Sequence, residues 1–143
     1  MNLLVRKEPD VQTTRMNPDG VAAPLGSYSH AVRVETADAV WIHVSGQVAF
    51  DADGALVGPG DLRAQAEQVF ENLQAILRAN GASFADVVKI STFLTTLDDL
   101  TGVREVRSRY LPAEPPASTT VQVVALVSPE FLIEVDVVAV VPA

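Results

Sequence analysis

Two carboxylates stand two residues apart in the run Ile133-Glu134-Val135-Asp136 near the end of the chain. On an extended strand that spacing projects both from one face. A carboxylate partly removed from water on such a face has its pKa raised and can carry a proton between a water and a substrate nitrogen. The same pair serves equally well in a salt bridge or in a hydrogen bond to a nearby loop. Tyr28 lies among loop formers in Pro24-Leu25-Gly26-Ser27-Tyr28-Ser29-His30, where a tyrosine acts either as a packing lid with a satisfied hydroxyl or as an acid. His30 and His43 are the only imidazoles, and neither pairs at ligand spacing with the other or with a carboxylate on a shared helix face, so no metal is expected. Asp51-Ala52-Asp53-Gly54 opens like a calcium loop but lacks the third acidic ligand and the distal bidentate glutamate, and reads as an Asp-Gly turn. No Gly-rich phosphate loop, Gly-x-Ser-x-Gly elbow or His-Glu-x-x-His is present. The chain has no cysteine, which excludes a disulfide framework, thiolate metal sites and a cysteine nucleophile and fits a reducing compartment. No cofactor is expected.

These groups sit on 143 residues that are 48% apolar and 6% aromatic, the composition of one compact domain. Ten Lys and Arg against eighteen Asp and Glu leave a net charge of −8, which repels a phosphate backbone, so nucleic acid is not an expected partner. The first nine residues reach charge before any signal-peptide core, and no stretch has the roughly 18 consecutive apolar residues of a membrane span. A cytoplasmic protein without membrane contact is the expectation.

The positioning elements follow from periodicity. Residues 1–12 read as an N-terminal arm and 13–143 as a single domain, with a short edge strand over 12–16 ended by Asn17-Pro18-Asp19-Gly20. Residues 31–35 and 39–50 alternate as strands. Apolar positions at 62, 66, 69, 70, 73, 76 and 77 describe an amphipathic helix over 62–79, capped by Asp61 and terminated by Gly81. A strand follows over 87–94, then a second helix carrying Leu97, Leu100, Val103, Val106 and Tyr110 that must stop before Pro112, then β-rich runs over 119–126 and 132–141. This order predicts an α+β sandwich, two helices on one face of a largely antiparallel sheet.

Period-two alternation predicts the helix-facing residues as Val40/Ile42/Val44/Val48, Val88/Ile90/Thr92/Leu94, Val121/Val123/Ala125 and Ile133/Val135/Val137/Ala139/Val141. The other face collects Trp41, His43, Ser45, Gln47, Lys89, Phe93, Ser118, Gln122, Glu134 and Asp136. That mixture is too apolar for bare solvent and too polar for a dry core, which marks an oligomer interface holding a pocket.

Several segments, in order, resemble the RidA/YjgF (Rid) family. Pro24 through Ala31 resembles its Pro-x-Gly-Pro-Tyr-Ser-Gln-Ala loop, Val44-Ser45-Gly46-Gln47 its Ser-Gly-Gln strand end, and Gln68 through Leu77 its Gln-x-x-x-Asn-Leu helix. Val87 through Leu94 resembles its Val-Lys-x-Thr-x-Phe-Leu strand, Pro116 through Val123 its Pro-Ala-Arg-Ser-x-Val-x-Val segment, and Ile133 through Asp136 its Ile-Glu-Ile-Glu segment. The resemblance implies a chorismate-mutase-like homotrimer with a small-molecule ligand in each cleft between subunits, and hydrolysis of enamine or imine intermediates to keto acids and ammonia. It implies that Glu134 positions the attacking water, with Tyr28 as its catalytic companion and Ser45 and Gly46 binding substrate. The family's arginine that grips the substrate carboxylate is replaced here by Ser118, which marks a divergent member for which weak or absent hydrolysis of simple 2-imino acids is the expectation. Arg104, where active members often have asparagine, is either a displaced guanidinium for substrate or a surface arginine.

Two readings of function result. One is a cofactor-free, deaminase-like hydrolase of a small imine, enamine or related compound; the other is a non-catalytic protein that binds or senses a metabolite in the same cleft. Ribonuclease activity is disfavoured by the negative charge and by the absence of paired catalytic histidines.

Overall fold

A computed structural model describes residues 10–143, so most of the expected arm lies outside the described residues. The elements are β1 (Gln12–Met16), β2 (Ala31–Glu35), β3 (Ala39–Gln47), α1 (Leu62–Ala79), β4 (Val87–Leu94), α2 (Leu100–Ser108), β5 (Ala117–Gln122) and β6 (Ile133–Pro142), with a single 3-10 turn at Phe84–Asp86. The strands form one sheet in the order β1-β2-β3-β6-β4-β5, antiparallel throughout except for the parallel pair β4 and β5. Among the described residues no helix is long and apolar enough to cross a membrane.

Helix α1 starts and stops where its sequence says it must. The Asp61 carboxylate accepts from the Ala64 N–H at 3.0 Å, and Gly81 takes φ +76° immediately after the Asn80 C-cap. Its apolar stripe, Leu62, Ala66, Val69, Phe70, Leu73, Ile76 and Leu77, is buried against the central strands through Ile42, Val44, Ile90, Val135 and Val137. Helix α2 packs on α1 through Val103 and Val106. Phe70, Phe84 and Tyr110 close one end of the helix layer, Phe70 and Tyr110 stacked at 5.2 Å between ring centres.

Three parts of the alternation come out differently from the sequence expectation. In β3 a bulge between Val44 and Gln47 sets Ser45 and Gly46 opposite the single position of Asp136, which reverses the parity beyond it. Gln47 is therefore buried on the core side, and Val48 turns toward the open face. A second irregularity between Val87 and Lys89 buries Val87 and leaves Val88 exposed. In β5 the register places Ser118 beside Ile90 and Thr120 beside Thr92, so Ser118, Thr120 and Gln122 lie on the helix side and Val121 on the open side. All six β5 residues are exposed, so no burial selects a face from the sequence. Strand β5 also starts earlier and ends earlier than the 119–126 run, and α2 excludes Leu97, because Asp99 caps it by accepting from the Gly102 N–H at 3.0 Å.

Two buried amides on α1 hold the chain segments that flank the open end of the sheet. The Gln65 side chain, wholly inaccessible, donates to the carbonyls of Gly58 (3.2 Å) and Glu130 (2.9 Å) and accepts from the Leu132 N–H at 2.9 Å, one residue before β6 begins. Asn72 donates to the carbonyls of Val48 (3.1 Å) and Phe50 (2.8 Å) just beyond β3, and its own oxygen accepts from Gln68 at 2.8 Å. These bonds satisfy backbone groups of irregular segments that have no ladder partner. Gln65→Leu keeps the side-chain volume but strands those buried groups, and is expected to lower unfolding free energy by about 2–4 kcal/mol in urea titration.

Candidate functional site

The bulge in β3 and the loop over residues 17–30 build one wall of a cavity at the open end of the sheet. Because the bulge turns Gln47 inward, its amide reaches His30 Nδ1 at 3.2 Å and the Ser45 carbonyl at 3.1 Å. The other ring nitrogen, His30 Nε2, lies 2.7 Å from the Ala22 carbonyl and must therefore carry the proton, leaving Nδ1 to accept from Gln47. The His30 N–H donates to Asn17 Oδ1 at 2.8 Å, and the Ser45 N–H and hydroxyl donate to the His30 and Ser29 carbonyls at 2.8 and 2.6 Å. His30 thus works as a buried structural tie between loop and strand.

This tie presents Tyr28, 44% exposed, at the rim. Its N–H donates to the Gly26 carbonyl and its hydroxyl oxygen accepts from the Leu25 N–H at 3.1 Å. The hydroxyl proton has no protein acceptor among the described residues, which leaves it free to donate to a bound molecule.

Opposite stands Glu134, one residue inside β6. A Cβ at Gly46 would overlap the Glu134 carboxylate, so the bare glycine backbone is what lets that group lie flat against β3. The carboxyl is half-buried and receives no hydrogen bond from the described residues. Loss of water raises its pKa above the usual 4.5, and repulsion from Asp136 raises it further. Leu25, Val48, Val127 and Phe131 complete a cavity of about 340 Å³ with Gly26, Tyr28, Ser45, Gly46 and Glu134. Phe131 is held edge-on by Phe50 at 5.3 Å. Apolar walls around one half-buried carboxyl and one phenol suit a small molecule with a polar centre.

Four of the expected site residues, Tyr28, Ser45, Gly46 and Glu134, come together here. Ser118 and Arg104 lie elsewhere in the chain. Ser118 is on the helix side of β5, two strands from Glu134, and its hydroxyl accepts from Arg107 Nη1 at 3.0 Å. Arg104 borders a separate recess with Arg107 and the 111–115 loop. Sequence reasoning missed Arg107 as the cation beside Ser118 and Val48 as a cavity wall; the bulge that turns Val48 outward was signalled only by Gly46 within a strand pattern. Among the described residues no group of three His, Asp or Glu side chains is placed to hold a metal ion.

The family model described as Endoribonuclease L-PSP matches residues 20–141. Protein DfrA of Myxococcus xanthus is 41% identical over 125 residues, covering 87% of this chain and 93% of the relative. A RutC family protein of Pyrococcus abyssi is 37% identical over 116 residues (81% and 87%), and a 2-iminobutanoate/2-iminopropanoate deaminase of Rattus norvegicus is 36% identical over 104 residues (73% of each). Among solved structures, RidA from a Psychrobacter species superposes with a TM-score of 0.78 at 36% identity, covering 90% of this chain and 99% of that one.

The raised Glu134 pKa has a consequence for stability. The ionised carboxylate is disfavoured in the folded chain, so its cost is absent below the usual value of 4.5, grows as pH rises through the raised folded value, and is complete above it. Glu134→Gln removes the charge and keeps the shape. It is expected to melt above the wild type at neutral pH, with the difference vanishing near pH 4 in calorimetric scans.

Proposed function

The chain belongs to the Rid family, whose fold of two helices on a mixed six-stranded sheet it shares with its solved relatives, and on that premise we propose that it is a cofactor-free hydrolase of a small imine or enamine, with Glu134 as its base. The observation that carries this reading is the half-buried Glu134 carboxyl, unpaired among the described residues, lying against Gly46 in a cavity that also holds a Tyr28 hydroxyl proton with no protein acceptor among those residues. Ionised Glu134 takes a proton from water as the water oxygen bonds to the carbon of the protonated imine, and the C=N electron pair moves to nitrogen, giving a neutral carbinolamine. The proton on Glu134 then passes to the amine; as the C–N bond breaks, the hydroxyl O–H electron pair forms the C=O bond and its proton returns to Glu134, a carbonyl compound and ammonia leave, and Glu134 gives that proton to solvent. Tyr28 donates to the substrate nitrogen or to the oxygen that replaces it. The kinship to imine deaminases supports this chemistry.

Ser118 stands where the family's carboxylate-gripping arginine is expected. A short neutral hydroxyl cannot make a bidentate guanidinium contact, the loss of which costs roughly 1.5–3 kcal/mol. Simple 2-imino acids are therefore expected to turn over slowly.

Imines generated in situ by an amino-acid oxidase and followed by keto-acid appearance give the test. Glu134→Gln should abolish turnover, and Gly46→Ala should reduce it at least about tenfold by displacing the carboxylate while the fold persists. Wild-type kcat/KM should fall in acid with a midpoint above the usual glutamate value of 4.5, because the base must be ionised. Saturable binding of imine or keto acid without turnover would replace the hydrolase by the metabolite-binding reading.

The same proposal includes a homotrimer with the cavity at a subunit boundary. Trp41, Val88 and Val121 are each at least 40% exposed in the single chain, and Trp41 and Val121 lie on the helix-free face of the sheet, apolar area of the kind that subunits cover. Sedimentation at micromolar concentration should give three times the chain mass; a stable monomer overturns the assembly.

A further inference from the structure

Two of the five arginines on the helix layer are neutralised by acids. Arg63 meets Glu105 at 2.7 Å and Asp99 at 3.5 Å, and Arg109 meets Glu67 at 2.7 Å. Arg104 and Arg107, one helical turn apart on α2, like Arg78 at the end of α1, have no carboxylate within ion-pair distance among the described residues, but they alone of these three stand side by side. Both border an open recess of about 640 Å³ walled by Ser108, Leu111, Pro112 and Pro115, and Glu114, in the same loop, does not line it. Burial and the nearby Arg104 charge both lower the Arg107 pKa, so the pair sits in mutual repulsion without relief. Arg107 is nevertheless held in place, because Ser118 Oγ accepts from its Nη1 at 3.0 Å and leaves the other guanidinium donors unused by that bond. In a chain with a net charge of −8, two adjacent guanidinium groups kept clear of carboxylates beside a proline-stiffened loop constitute a prepared place for negative charge.

We propose that the Arg104–Arg107 recess binds a small oxyanion, a carboxylate or a phosphate group, between the two guanidinium groups. In the single chain the recess shares no lining residue with the Glu134 cavity, and the proposal is independent of the reaction assigned there. Arg107, oriented by Ser118, supplies the bidentate face, and exposed Arg104 closes from one turn earlier on the helix.

Calorimetric titration of the full chain with pyruvate and, separately, with inorganic phosphate tests the assignment. The wild type should bind at least one probe saturably, with affinity that falls as salt rises. Arg107→Gln and Arg104→Gln should each weaken it at least about tenfold, whereas Arg109→Gln should leave it unchanged. Tighter pyruvate binding identifies a carboxylate ligand, and tighter phosphate binding a phosphate ester. Should Arg107→Gln fail to fold, the exposed Arg104 variant decides. Absence of saturable binding, or binding that survives both arginine substitutions, overturns the proposal. Pyruvate binding lost only in Glu134→Gln overturns it too, by placing the anion in the other cavity.

Discussion

The bulge at Ser45 and Gly46 is the constraint on which the rest of the site depends. Two residues face the single position of Asp136, so the strand changes parity within one step. An uninterrupted β3 would send Gln47 to the open face and Val48 to the core. His30 would then lose its amide partner, and the 17–30 loop would lose one of the bonds that anchor Tyr28 beside β3. The bulge also sets a glycine where the Glu134 carboxylate needs room. Backbone irregularity, loop anchoring and carboxylate burial are three consequences of one inserted residue.

Around that point, stability and chemistry are assigned to different groups. Gln65 and Asn72 bond backbone groups on either side of the cavity, are fully satisfied and face the helix layer. They stabilise the segments that carry the site without entering it. Glu134 does the opposite: it sits partly out of water, beside a second carboxylate, with no donor among the described residues to stabilise its charge. A fold selected only for stability would place a neutral or apolar residue there. The energetic cost is confined to one side chain, and the buried amides keep the backbone from relaxing to remove it.

Much of this was legible from sequence. Helix α1 and strand β4 have the boundaries that periodicity and capping assign, because a long amphipathic stripe and a buried strand between turns leave little choice of register. Faces were harder than elements. Alternation carries a strand's parity forward unbroken, so it misplaced Gln47 and Val48 past one bulge and Val88 at another. It failed in β5 for a different reason: Ser118 through Gln122 are exposed on both sides, so apolar alternation there reports no burial. For the site, Tyr28, Ser45, Gly46 and Glu134 meet as the family resemblance implies. Arg107 escaped notice because a helix surface with three arginines in six residues gives no sign of which one an edge-strand hydroxyl will orient.

The inverted face of β5 changes how the charges relate. With Ser118 on the helix side and Glu134 on the open side, the acid-bearing cavity and the arginine-bearing recess are separated within a single chain by the sheet itself. No side-chain rearrangement in one protomer brings Arg104 or Arg107 through that sheet to Glu134. Among the described residues of one chain, Arg15 is the arginine that borders the adjoining recess behind Tyr28 and Ser45, and another copy of the chain is a second source of a guanidinium contact to a molecule in the Glu134 cavity. Arg15 lies on the open face in the same cross-strand row as Val32, His43 and Val138, so it reaches that side without crossing the sheet. The geometry thus separates two roles for positive charge that the sequence alone runs together: one on the open face near the carboxyl, and one on the helix face around Ser118.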